Sequence, residues 1–156
     1  SFEGQSGTTA DAYYDEVTLE FWIKATTNLQ SGADEVKVFD LREDGAFSGM
    51  ARVYDSGGST IQMQLGLLLD TAGSAVYVSG ADESFTETTD WKHWAVTWKG
   101  SDGAVQWYAD GVAGTSGTLG ASGDRWKVPS GSKVRVGGGV GTWAYSVADV
   151  RLWSVA

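Results

Sequence analysis

Trp91-Lys92-His93-Trp94-Ala95-Val96-Thr97-Trp98-Lys99, then Gly100-Ser101-Asp102-Gly103, then Ala104-Val105-Gln106-Trp107-Tyr108-Ala109-Asp110-Gly111: this stretch decides the fold class. Aromatic and β-branched residues alternate with smaller or polar ones on both sides of a short glycine-containing break, which is the pattern of two extended segments joined by a tight turn. Ser101-Asp102-Gly103 supplies that turn, and Asp110-Gly111 closes the second segment with residues that tolerate the positive backbone dihedrals of a two-residue hairpin. Working outward, Val17-Thr18-Leu19-Glu20-Phe21-Trp22-Ile23-Lys24 places Val17, Leu19, Phe21 and Ile23 on one side and Thr18, Glu20, Trp22 and Lys24 on the other, because successive side chains of a strand point to opposite faces. The same reasoning expects strands over residues 36–41, 49–54, 61–69, 75–79, 93–99, 105–109, 133–137 and 149–154. Gly57-Gly58 is a further hairpin signal. The stretch between Gly114 and Gly131, which holds the only proline, Pro129, is expected to be the least regular part of the chain.

Composition agrees with this reading. The 156 residues suit one domain with its own core, taken as residues 1–156, and 22 glycines with one proline and 12% aromatics fit many short strands and tight turns. Sustained helical periodicity is absent. No repeat of about 20 to 50 residues is visible, which argues against solenoids and propellers. The formal net charge of −9 repels phosphate backbones and anionic lipid, so nucleic acid is not an expected partner. The longest apolar runs, such as Leu67-Leu68-Leu69, fall short of the roughly 20 residues of a membrane helix, so membrane insertion is not expected. With no cysteine, disulfides and thiolate chemistry are excluded and cysteine usage carries no information on compartment. The chain opens at Ser1, as an excised or processed module of a larger protein or assembly would.

The hairpin at residues 91–111 resembles the central hairpin of laminin-G-like and concanavalin A-like lectin and glucanase domains, whose pattern runs W-x-x-W-A-V-T, turn, hydrophobic-Y-x-D-G. Val17–Lys24 resembles the first long core strand of that family. Val134-Arg135-Val136-Gly137-Gly138 and Ala148-Asp149-Val150-Arg151-Leu152-Trp153 resemble its closing strands, so the likeness spans nearly the whole chain. The resemblance implies an all-β, two-sheet antiparallel jelly-roll sandwich with one curved concave sheet. It also implies a history of glycan and protein recognition and an extracellular or surface-exposed setting, without naming a ligand.

The chemistry within reach is narrow. His93 is the single histidine, so a nucleophilic triad would need it, and it alternates with Trp94 on a strand beside the core. One histidine and no cysteine leave no ligand set for zinc or another transition metal. Calcium remains possible in oxygen-rich loops, with Asp11, Asp15, Glu16 and Asp44 as candidate ligands, although no loop spells an EF-hand. Glu16-Val17-Thr18-Leu19-Glu20 approaches the E-x-D-x-E strand motif that the resemblance associates with glucanases, but threonine replaces the central acid. The lyase relatives use Arg, Gln-x-His and Tyr motifs, and His93 stands in no Gln-x-His context. The glycine run at residues 137–141 precedes neither a Lys-Ser/Thr pair nor a helix, so it is no phosphate loop.

Eight tryptophans suggest aromatic platforms for sugar rings. Trp94, Trp98, Trp107 and Trp153 lie inside strand patterns and are expected in the core. Trp22 has either the concave sheet or a loop above it. Trp126 stands between charges in Gly123-Asp124-Arg125-Trp126-Lys127, where burial is less natural, and is the leading candidate platform with Asp124 and Arg125 beside it. Trp143 and Tyr145, after the glycine run, are secondary candidates. The sequence thus points to a non-catalytic binding module, lectin-like in its carbohydrate recognition and with calcium assistance possible. The alternative is a structural or adhesive domain of a surface or virion assembly that contacts protein. A polysaccharide hydrolase or lyase comes third.

Overall fold

The computed structural model describes residues 10–25, 35–43, 46–55, 61–70, 75–76, 83–85, 90–137, 139–140 and 145–155. All its regular elements are strands, and none of the described residues is helical. They are β1 (Ala12–Tyr14), β2 (Glu16–Ala25), β3 (Glu35–Glu43), β4 (Ala46–Asp55), β5 (Ile61–Leu68), β6 (Ala75–Val76), β7 (Glu83–Phe85), β8 (Lys92–Lys99), β9 (Ala104–Ala109), β10 (Val112–Thr118), β11 (Trp126–Val128), β12 (Lys133–Val136), β13 (Gly139–Val140) and β14 (Tyr145–Val155).

The hairpin of the opening stretch is β8 and β9, paired antiparallel from Trp94 opposite Ala109 to Lys99 opposite Ala104. Its turn closes where the Asp102 carboxylate accepts the Ala104 N–H at 3.0 Å and Gly103 takes φ 69°. Asp110 (φ 50°) and Gly111 (φ 80°) then form the two-residue turn into β10, so that Val112 faces Ala109. These strands belong to a five-stranded sheet in the order β10-β9-β8-β2-β14. A seven-stranded sheet runs β12-β3-β4-β5-β6, with β13 also on β3 and β7 also on β5. All pairings are antiparallel.

The inward sides of the two sheets form one core. Val17, Leu19, Phe21 and Ile23 of β2, with Trp94, Val96 and Trp98 of β8 and Trp107 of β9, meet Val38, Leu41, Val53, Met63, Leu65 and Leu67 from the other sheet. Fully burying one such side chain stabilises by about 1.5–3 kcal/mol, so the alternation read in β2 and β8 is also what binds the layers together.

Three expectations change. The two-sheet sandwich gains a third, two-stranded sheet, in which Ala12, Tyr13 and Tyr14 of β1 pair with Val128, Lys127 and Trp126 of β11. β11 lies in the stretch expected to be irregular, as does the end of β10, whose Gly- and Ser-rich sequence carries little strand signal. The third change is Trp153, expected in the core and found 45% exposed. The register between β14 and β2 shifts between Ala148 and Arg151, with Asp149 at φ 51°. The extra residue of that bulge reverses the parity of the strand, so Val147 packs inward before it and Val150 and Leu152 after it. Trp153 therefore points to the outer side.

Candidate functional site

Three of the residues singled out as a binding rim, Trp126, Asp124 and Arg125, are engaged within the fold. Trp126 is fully buried, its Nε1–H donating to the Ser48 carbonyl at 2.6 Å. Its ring lies so close to β4 that a Cβ on Gly49 would stand 2.9 Å from it, and Tyr14 tilts against it at 5.5 Å. It cannot serve as a sugar platform. Asp124 is also buried, its carboxylate accepting the Ala121 N–H at 2.6 Å and closing its own turn. Arg125 lies over the Tyr13 ring at 4.6 Å and grips Asp70, through its backbone N–H at 2.9 Å and its guanidinium at 3.0 and 2.9 Å. That backbone N–H first, then the guanidinium, holds the Asp70 carboxyl below the usual carboxylate range. The charges flanking Trp126 thus form the clasp that seals the end of the sandwich over it. Tyr145 begins β14 opposite Ala25, with its side chain outside the described residues, and Trp143 lies wholly outside them.

Of the calcium candidates, Asp11, Asp15 and Glu16 each have a separate partner. The Asp11 carboxylate pairs with the Lys127 ammonium at 2.8 Å and accepts the Ser130 N–H at 3.1 Å, and both contacts, Lys127 first, lower its pKa. Asp15 is held through its backbone carbonyl, which accepts the Gly100 N–H at 2.7 Å, and Glu16 lies 4.0 Å from Lys99. Asp44 falls outside the described residues. Among the described residues no three acidic or histidine side chains cluster as metal ligands would.

A different surface has the composition of a binding site: the outward side of the five-stranded sheet. There Trp22 of β2 is 38% exposed and Trp153 of β14 is 45% exposed, and Trp91, just before β8, is 41% exposed. Register sets the layout, since residues opposite one another in adjacent strands share a face. One rung carries Ala148, Trp22 and His93; the next carries Arg151, Glu20, Ala95 and Tyr108; the third carries Trp153, Thr18, Thr97 and Gln106. Trp22 and Trp153 therefore stand two rungs apart, roughly 13 Å along the strands, with an ionic rung between them.

The polar groups of this face are tied in place. The His93 ring tilts on Trp22 with centroids 5.1 Å apart, and its Nε2 lies 3.8 Å from the Glu20 carboxylate. Arg151 is held in a two-pronged pair by Asp149, at 3.0 Å through Nε and 2.7 Å through Nη2. At the rim, Asp110 accepts from the Lys92 ammonium at 2.8 Å and from the His93 backbone N–H at 3.1 Å, Lys92 itself lying opposite the core residue Ile23 in register. The Lys92 contact leads in lowering the Asp110 pKa, and Lys92 is raised in return. The Lys24 ammonium stands 5.1 Å above the Trp91 ring. Gln106 is anchored through its amide to the carbonyls of Trp107 and Gly114, each at 2.9 Å.

Part of this surface was visible in the sequence, because alternation in β2 already sets Trp22 on the side opposite Phe21. Trp153 was hidden by the bulge. No local signal tells that Trp22, Trp91 and Trp153 are each more than a third exposed.

A family model described as the concanavalin A-like lectin/glucanases superfamily matches residues 4–156. A search of curated protein sequences finds no significant match. Among solved structures, the native heptameric SAP-like pentraxin from Limulus polyphemus is similar with a TM-score of 0.63 at 17% identity, covering 94% of this chain and 67% of that one. The full extracellular region of zebrafish Gpr126/Adgrg6 gives a TM-score of 0.58 at 18% identity, covering 96% of this chain and 19% of that one. The alginate lyase AlgAT5, of polysaccharide lyase family 7, gives a TM-score of 0.50 at 14% identity, covering 100% of this chain and 67% of that one. At these identities the likeness is one of fold.

Proposed function

Because the chain belongs to the concanavalin A-like lectin/glucanases superfamily, we propose that it is a non-catalytic carbohydrate-binding module whose ligand lies across the outward face of the five-stranded sheet. The observation that carries this reading is the set of three tryptophans, Trp22, Trp91 and Trp153, each more than a third exposed and interleaved with fixed polar groups. Aromatic faces cover the apolar side of a sugar ring, and the hydroxyls take hydrogen bonds from the groups between them. Tryptophans left in water along one side of a sheet mark that side as a place for a partner.

The superfamily contains glucanases, and a lyase is among the structures of similar fold. Against catalysis here, acids of this face and its rim are engaged: Asp110 by Lys92, Asp149 by Arg151, Glu20 beside His93. Glycoside hydrolysis requires an acid and a base or nucleophile facing one another across open space. We place the module in a surface-exposed or extracellular protein, as the family resemblance and the zebrafish extracellular region suggest. None of the described residues forms a helix long and apolar enough to cross a membrane.

The test is a screen of soluble polysaccharides and a glycan array, followed by calorimetry with Trp22→Ala and Trp153→Ala. Each substitution is expected to weaken binding by about tenfold or more, the effect of losing roughly 1.4 kcal/mol of ring contact. A folded protein that retains no glycan would overturn the reading and leave the protein-contact alternative, for which exposed Trp and Arg are equally suited. Release of new sugar ends would overturn its non-catalytic part.

A further inference from the structure

Resting on that reading, we infer that the saccharide recognised by this face is a neutral one and not a uronic or sulfated polymer. The described charges on the face and its rim come in opposed pairs. Lys92 holds Asp110 at 2.8 Å, Arg151 holds Asp149 at 2.7 Å, and Lys99 lies 4.0 Å from Glu16. Glu20 lies opposite Arg151 in register and 3.8 Å from His93, and Asp90, beside Trp91, adds its charge to that of Asp110 on Lys92. Lys24 is set over a ring instead of a carboxylate, and it is a single ammonium on a chain of net charge −9.

An anionic ligand recruits cations, and each described cation here except Lys24, which lies over the Trp91 ring, already faces an acid. Opening an exposed pair costs little, about 0.2–1 kcal/mol. The acid set free, however, stays within a few ångströms of the incoming anion, and its repulsion cancels what the cation offers, since both act over the same distance in the same medium. A neutral ring meets no such opposition. It stacks on Trp22 and Trp153, and its hydroxyls donate to Glu20 and Asp149 and accept from Arg151, because a hydroxyl serves both roles. Paired ions of this kind hold donors and acceptors in position for hydroxyls without selecting for charge.

The experiment measures the affinity of the intact chain for neutral β-glucan, xylan and galactan against alginate, polygalacturonate and carrageenan, at about 50 mM and about 500 mM NaCl, where screening lengths differ severalfold. Neutral polymers are expected to bind at least about tenfold more tightly than the anionic ones, with less than about a twofold change across the salt range. The double variant Glu20→Gln and Asp149→Asn, which keeps shape and tolerates the positive φ at 149, is expected to raise the affinity for polygalacturonate by about fivefold or more at low salt. Three results would overturn the inference: no such rise in the double variant, tighter binding of anionic polymers that Trp22→Ala abolishes, or a steep salt dependence for the preferred polymer. The second of these would leave the glycan reading standing. Retention of no polysaccharide of either class, or neutral binding indifferent to Trp22→Ala, would instead sink the glycan reading of this face and the inference with it.

Discussion

Trp126 and Trp153 exchange the places that their local sequence suggests. Trp126 sits among Asp124, Arg125 and Lys127 beside turn residues, and it is fully buried, whereas Trp153 sits in the long strand β14 and is 45% exposed. The charged neighbours of Trp126 point away from it to Asp70, Asp11 and the Ala121 N–H, so they close the end of the sandwich over the ring. The strand that carries Trp153 changes parity at Asp149 and turns the ring outward. Polarity of neighbours in sequence is thus a poor guide to burial, because burial follows what lies across the fold from a side chain.

The contrast is sharpest in stability. Trp126→Ala is expected to cost about 3–5 kcal/mol, since it empties a packed site and leaves the Ser48 carbonyl without its donor. Urea unfolding monitored by tryptophan fluorescence would show it, and a loss below about 1 kcal/mol would break the comparison. Next in size is Gly120→Ala, expected to destabilise by about 1–3 kcal/mol. Gly120 has φ 82°, and a Cβ there would run into the Leu69 side chain and the Asp124 carboxylate, on which the closure over Trp126 depends. A thermal melt as high as that of the unmodified chain would contradict this account of the end cap.

Trp153→Ser should behave in the opposite sense, lowering unfolding free energy by less than about 1 kcal/mol, as a substitution on an exposed strand face does, while removing glycan affinity. Should it unfold the protein, Trp153 is a core residue after all. The smallest effect concerns the Arg125–Asp70 clasp. Its carboxyl titrates below its ordinary value near 3.8, so its contribution is present above that value and is lost as pH falls through the lowered folded one. Asp70→Asn is expected to be less stable than the parent at neutral pH by under about 1 kcal/mol and to converge with it as pH falls through the lowered titration of Asp70. A difference that persists or grows in acid would remove the ion pair from the explanation.

Much of the fold was legible in the residues. The alternation of Val17, Leu19, Phe21 and Ile23, the Trp94-Val96-Trp98 series and the Asp110-Gly111 turn each specified their part locally. The paired strands β1 and β11 were not, since three-residue strands carry too few residues for a period and form because each supplies the other's hydrogen-bond partners. The candidate site was half legible: Trp22 declared its face through parity, while Trp153 was concealed by a bulge that inserts one residue without any signature in Val147-Ala148-Asp149-Val150.

The sequence by itself determined that this chain is all-β, that its long strands have an apolar side, and that it lacks thiols and has a single histidine. Only the tertiary structure decided which tryptophans meet water. Strand periodicity assigns a side chain to one of two sides, but whether that side is covered depends on which residues, distant in the chain, the pairing of strands brings over it.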